Sequence, residues 1–411
     1  MMVGHVEKMK VKVGKVGMGL EREQPDQGMA LLRPMKLGPY QLNHRIVMAP
    51  MTRCRALDTL ATPAMGVYYR QRASAGGLLV SEGVCVSPNA HGFVDTAGIY
   101  TSEQVESWKP VTQAVHKEGA IFFLQLWHVG RASHTKLQPG NAHPVSSTTQ
   151  QVPLPWGTFP RDAITGKKRK HQHSPPRALH TNEIPQVIEW FKVGARNAVD
   201  AGFDGCEIHG GHGYLIDQFI KDNTNDRTDY YGGSMPNRCR LLLEITQGVA
   251  TEIGAQRTAI RISPFTVQNH AIDSNPEELL VYLLQELDKL NLAYIHVTEP
   301  EFTRLMDVET WTPQHLHVTR RRTTPLLVSG GHSKDTGNRA VECGYADLVG
   351  YGRAFISNPD LVKRFASGAA LNGAAKTSSF YDSDQTVGYT DFPFLDDIQS
   401  EEEVVQHRAR L

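Results

Sequence analysis

At 411 residues, 40% hydrophobic and 21% charged, the chain is long enough for two or three globular domains or one large α/β barrel with insertions. Lys plus Arg and Asp plus Glu balance at 43 each, which removes the electrostatic motive for a nucleic-acid or membrane-surface partner. Five scattered cysteines (Cys54, Cys85, Cys206, Cys239, Cys343) without a CxxC argue against a disulfide frame or a structural zinc, and no apolar run nears the ~20 residues of a membrane span.

Residues 1–30 carry Lys, Val, Met and Gly but no apolar signal core, and read as a flexible leader. A hairpin is expected around Leu32–Leu42, then a first core strand within His44–Pro50, ended by the proline. A helix over Ala64–Ala75 leads to a second strand, Leu78–Val84. Thr101 or Ser102 caps a helix in which Val105, Trp108, Val111 and Val115 recur at helical spacing, with Pro110 expected to kink it and Gly119 to stop it. Strand three is Ala120–Trp127. The stretch Gly130–His180 is a long loop whose Lys167–Lys170 run reads as a solvated tip. Thr181 or Asn182 should cap the next helix, striped by Ile184, Val187, Ile188, Phe191 and Ala195. Strand four, Gly205–His209, breaks into a glycine-rich turn and a helix restarts near Tyr214. Strands five to eight follow at Thr258–Ser263, Ala293–Val297, Pro325–Ser329 and Asp347–Gly350, with helices near Asn237–Ile253, Pro276–Leu290 and Asp335–Glu342 between them. Eight strands alternating with helices predict a parallel sheet, and eight is the number that closes a (β/α)8 TIM barrel: a single α/β domain over 31–395 with long βα loops and a tail at 396–411. The competing open, doubly wound sheet would want a GxGxxG turn after an early strand, and none is present.

Chemistry concentrates at the ends of these strands. Alternation puts Glu207 and His209 on one face of strand four, and the turn beyond it presents His212 and Tyr214, so two imidazoles and a phenol converge. Arg261 faces opposite Ile260 and Ile262, and a guanidinium inside a barrel needs an anionic partner. Gln125 shares a face with Phe123 and Trp127, and Thr52 adds a hydroxyl past strand one. Together these favour a planar heteroaromatic ligand. Gly330 and Gly331 after strand seven, with Gly352 and Arg353 after strand eight, suit a phosphate. A metal-dependent barrel hydrolase built on His209 and His212 would need further carboxylates or histidines at other strand ends, where Gln125 and Thr52 stand instead, so no metal site is expected.

Five stretches, His44–Leu57, Phe123–Ser133, Glu207–Phe219, Asp226–Arg238 and Gly350–Leu361, resemble the Old Yellow Enzyme family of flavoproteins, and within it the plant 12-oxophytodienoate reductases of the peroxisomal jasmonate-pathway type. The resemblance implies non-covalent FMN, NADPH as reductant and reduction of the C=C bond of α,β-unsaturated carbonyl compounds, 12-oxophytodienoate among them. It implies that Pro50, Met51 and Thr52 face the flavin ring, that Gly83 lies near it, that Gln125 meets its pyrimidine edge and Arg261 its N1, and that Gly330, Gly331, Gly352 and Arg353 hold its phosphate. His209 and His212 would bind the substrate carbonyl, Tyr214 would protonate Cα, and Tyr381 would pack near the substrate. A flavin-binding protein without turnover is the third reading, and the intact His209, His212 and Tyr214 speak against it. The stretch Glu299–Gln314 is shorter than in those reductases, Lys167–His173 replaces a more apolar loop, and Asn372–Ser379 lacks a Tyr-Asn-Arg; all three border the substrate side. The closing Ala409-Arg410-Leu411 resembles the Ser-Lys-Leu peroxisomal address, with the cytoplasm as the alternative location. A small-molecule enone is the expected partner, and a monomer or weak homodimer the expected state.

Overall fold

Short β-branched and aromatic runs bounded by glycine and proline become strands, and the amphipathic stretches between them become helices. The computed structural model describes residues 28–158, 170–299 and 322–397. The readings made for the leader to residue 27, the basic tip at 167–169, most of Glu299–Gln314 and the C-terminal tripeptide lie outside those residues.

The described chain opens with a hairpin, β1 (Met35–Leu37) against β2 (Tyr40–Leu42). Then come β3 (Ile46–Met48), α1 (Pro63–Arg72), β4 (Leu78–Cys85), α2 (Ser102–His116) and β5 (Ile121–Trp127). Within the long loop, β6 (Val145–Ser146) pairs with β7 (Arg177–Ala178). The chain continues through α3 (Ile184–Asp200), β8 (Gly205–His209), α4 (Leu215–Ile220), α5 (Met235–Ile253), β9 (Thr258–Ile262), α6 (Pro276–Asp288), β10 (Tyr294–Thr298), β11 (Leu326–Ser329), α7 (Lys334–Glu342) and β12 (Leu348–Tyr351). Two short helices, α8 (Arg353–Ser357) and α9 (Leu361–Ser367), follow. Strands β3, β4, β5 and β8 to β12 form one closed barrel, all pairs parallel, with β12 returning to β3. The expected (β/α)8 architecture is the one observed.

Two details differ from expectation. Residues Thr181–Glu183 form a separate 3-10 turn ahead of α3, in which the His180 N–H donates to Glu183 Oε2 at 2.7 Å and the Glu183 N–H to the His180 carbonyl at 3.0 Å. The Thr181 hydroxyl instead donates to Asp229 Oδ2. Helix α2 runs unbroken through Pro110, with Thr101 capping it by accepting from the Gln104 N–H at 3.2 Å.

The apolar groups divide as a closed barrel requires. One cluster packs barrel against helices, taking in Trp108, Phe122, Phe191, Phe203 and Leu242. The other fills the barrel itself: Val47, Leu78, Val80, Ile121, Phe123, Ala259, Tyr294, Leu327 and Leu348, joined by Leu37 and Leu42 of the hairpin. Leu78, Ile121 and Leu348 each begin their strands, so the hairpin plugs the N-terminal end. Truncating a residue such as the fully buried Phe123 to alanine costs about 3–5 kcal/mol. Polar side chains are left to the opposite, C-terminal end, where the strands deliver them together.

Candidate active site

Strand β8 ends at His209, and the turn Gly210–Gly213 reverses the chain before α4. His212 sits in that turn at φ 58°, the left-handed region that disfavours a side chain. Two bonds keep it there: its N–H donates to Ser263 Oγ at 2.6 Å and its carbonyl accepts from Asn269 Nδ2 at 3.0 Å. The two imidazoles meet edge to face, with centroids 5.2 Å apart, and Tyr214 stands 5.2 Å from His209. Trp127, at the end of β5, packs edge-on against Tyr214 at 5.0 Å and stacks over His209 at 6.4 Å. The convergence expected from the sequence is therefore what the fold builds.

Burial, reinforced by the nearby Arg261 guanidinium, holds both imidazoles well below the usual histidine range, so they are neutral near pH 7. The Gly211 N–H reaches His209 Nδ1 at 3.4 Å, which leaves the His209 proton on Nε2 as a donor. His212 Nδ1 is buried and has no protein partner. An orphaned polar atom of this kind beside a second donor suits a ligand oxygen that gains negative charge. Burial also raises the Tyr214 phenol, so it keeps its proton, while a hydrogen bond from Asn269 works the other way. Asn269 was missed from sequence; it lies in the irregular loop after β9, where no periodicity marks it.

Around this group stand the residues expected to hold FMN. Pro50, Met51 and Thr52 follow β3 directly, at the C-terminal mouth. Gly83 pairs in register with Gln125, and Gln125 with Glu207. The structure gives Gly83 a further reason: a Cβ there would lie 2.7 Å from the Trp127 ring, so glycine is what lets that indole seat. Arg261 donates from Nε to Thr298 Oγ1 at 3.0 Å and from Nη2 to Ser329 Oγ at 3.4 Å. Gly331, at φ 91°, has open space where a side chain would stand. The preceding Gly330 is backed by Glu299, whose buried carboxylate accepts from His332 Nε2 and from the Tyr345 hydroxyl, each at 2.6 Å. The exposed Arg353 begins α8 just after Gly352. An amide, a guanidinium and a glycine-lined cradle at one barrel mouth fit a flavin mononucleotide: an amide for a ring edge carrying donors and acceptors, cations for ring and phosphate charge.

Tyr381 borders the His/His/Tyr group, close enough to push the Tyr214 phenol up further. It is 48% exposed and stacks on Phe93 at 6.0 Å, and Phe93 in turn stacks on Trp127 at 5.8 Å. Its segment is held by two buried arginines that sequence reasoning passed over. Arg53 donates to the carbonyls of Phe380 and Gly388 at 3.1 and 2.8 Å, and Arg55 to those of Ser379 and Asp384 at 3.0 and 2.9 Å. Among the described residues no three His, Cys, Asp or Glu side chains gather as a metal-binding set.

Comparison with known proteins adds three findings. Residues 30–372 match the NADH:flavin oxidoreductase / NADH oxidase family. The chain is 48% identical over 395 residues to 12-oxophytodienoate reductase 7 of Oryza sativa subsp. japonica, covering 92% of this chain and 98% of that one; with 12-oxophytodienoate reductase 2 of Arabidopsis thaliana it shares 44% over 379 residues, 92% and 99%. Its fold superposes on morphinone reductase with a TM-score of 0.85 at 40% identity, covering 89% of this chain and 96% of that one, and on the old yellow enzyme homologue from Zymomonas mobilis with 0.81 at 36%, covering 89% and 99%.

Proposed function

The chain belongs to the NADH:flavin oxidoreductase / NADH oxidase family, as an FMN-dependent oxidoreductase of the Old Yellow Enzyme type, and from that premise we propose that it is an ene-reductase. Its reductant is NADPH, and its substrates are α,β-unsaturated carbonyl compounds, with 12-oxophytodienoate as the physiological one. The observation that carries this reading is the convergence of two imidazoles and a buried phenol at the barrel mouth, with the His212 and Tyr214 ring centroids each 5.2 Å from that of His209.

When bound, FMN supplies the hydride chemistry. Everything else falls to the chain. Gln125, Arg261 and the Pro50–Thr52 segment would hold the ring, and Gly330, Gly331, Gly352 and Arg353 the phosphate. His209 and His212 donate to the substrate carbonyl oxygen and stabilise the charge that gathers there, in the manner of an oxyanion hole. Being neutral, they lend hydrogen bonds without handing the enolate a proton prematurely. Tyr214 releases its proton to Cα. Trp127, packed on both His209 and Tyr214, keeps water from that face.

The substrate assignment draws support from the plant reductases at 44–48% identity. The likeness to morphinone reductase supports a second reading, a general enone reductase with a different physiological substrate. The purified protein should be yellow, bleach anaerobically with NADPH and regain colour on adding an enone. Steady-state rates with both enantiomers of oxophytodienoate beside cyclohexenone separate the two substrate readings. A colourless protein that refuses added FMN overturns both.

A further inference from the structure

Beneath the mouth, inside the barrel, lies a polar group that the reaction outlined above does not use. Glu207 is fully buried, and its carboxylate accepts three hydrogen bonds: from Gln125 Nε2 at 2.8 Å, from the Tyr294 hydroxyl at 3.0 Å and from His296 Nδ1 at 2.9 Å. The register explains how β8 reaches β10. Glu207 and Tyr294 both pair with Ala259 of the intervening β9, and that methyl leaves room for the two side chains to meet across it. With Nδ1–H committed to Glu207, His296 Nε2 must accept, and its neighbour at 2.8 Å is Ser329 Oγ. Ser329 thus donates to His296 and has its lone pairs left for Arg261 Nη2 at 3.4 Å. One continuous chain of bonds therefore runs from Gln125 through Glu207, His296 and Ser329 to Arg261.

We propose that Glu207 is the positioning residue of the flavin site, setting the orientation of Gln125 directly and that of Arg261 through His296 and Ser329. A carboxylate can only accept. It therefore turns the Gln125 NH2 group toward itself and leaves Oε1 and the second N–H for a ligand's edge, removing the alternative amide flip. Burial alone would raise the Glu207 carboxyl, but the hydrogen bonds it accepts from His296 and Gln125 and the nearby Arg261 guanidinium outweigh it and hold it below the usual carboxylate range. It thereby supplies the anionic partner that a guanidinium inside a barrel requires. The bland alternative is a buried carboxylate that merely ties β5, β8 and β10 together.

The proposal rests on FMN occupying this mouth, so wild-type protein is measured first: failure to bind FMN sinks the functional reading, whereas FMN binding that ignores Glu207 sinks only the present inference. In Glu207→Gln, the FMN dissociation constant, read by quenching of flavin fluorescence on titrating apoprotein, should rise roughly tenfold, the scale of one hydrogen bond to a charged group. The flavin midpoint potential should move positive, because a negative charge beside the site is gone. In a Gln125→Ala background the Glu207→Gln effect on affinity should shrink to what the arm through His296 and Ser329 to Arg261 carries, since Glu207 and Gln125 act as a unit. An unchanged constant and potential, or additive effects of the two substitutions, overturn the proposal. If Glu207→Gln does not fold by circular dichroism, Ser329→Ala, which cuts only the arm to Arg261, should still shift the potential; a lowered melting temperature with a native potential there would leave a structural tie alone and refute the relay.

Discussion

Replacing Tyr214 with phenylalanine removes one hydroxyl and little else. The ring keeps its edge contacts with Trp127 at 5.0 Å and His209 at 5.2 Å, so packing is preserved. At most one hydrogen bond, that with Asn269, is lost, about 1 kcal/mol of stability. The chemical cost is larger. A positioned general acid contributes roughly 10²- to 10⁴-fold, equivalent to about 3–5 kcal/mol of barrier. Tyr214 is only 8% exposed, so bulk water is a poor substitute. The two half-reactions separate the effects. In anaerobic stopped flow, flavin reduction by NADPH should run near the wild-type rate, whereas reoxidation by an enone should slow by at least two orders of magnitude. A reoxidation rate within about threefold of wild type would falsify the assignment of Tyr214 as proton donor, and an equal loss in both half-reactions would show that the substitution had disturbed the flavin instead.

His209→Ala combined with His212→Ala should weaken phenol and enone binding together, because both donors to the ligand oxygen are gone; phenol charge-transfer bands that persist in the double variant would count against the pair. A pH effect is expected at Glu82, a fully buried carboxyl that burial pushes up to about 7 despite the nearby Arg53 and Arg55, with Oε2 unpartnered. Its folded-state value lies above the unfolded 4.5, so the folded chain holds the proton more tightly and stability falls as pH rises from about 4.5 to 7. Ionised Glu82 then costs about 3 kcal/mol. Glu82→Gln should therefore raise the thermal midpoint at pH 8 and lose most of that gain near pH 4.5; a pH-independent difference would refute the cause.

The barrel was legible because each strand is a short apolar run with its own punctuation, and eight of them leave few alternatives. The proximity of the candidate site residues was legible for a related reason: His209, His212 and Tyr214 fall within six residues of a strand-turn-helix, so local geometry nearly determines their arrangement. What stayed hidden depends on partners far along the chain. The face of Glu207 could be read from alternation, but not that Tyr294 and His296, 87 and 89 residues away, would close on its carboxylate. Arg53 and Arg55 follow a strand with nothing local to mark them as buried; their carbonyl partners lie more than 320 residues downstream. Thr181 or Asn182 suited a helix cap locally, but the Thr181 hydroxyl is drawn to Asp229, 48 residues on.

The plug formed by β1 and β2 has a kinetic meaning. With Leu37 and Leu42 sealing the far end, electron donor and electron acceptor must both arrive through the same doorway, and the aromatic wall of Trp127, Phe93 and Tyr381 narrows it. Use of one place by both partners of the proposed reaction predicts turnover in strict succession, with an excess of acceptor throttling the enzyme by standing in the way of its own reductant.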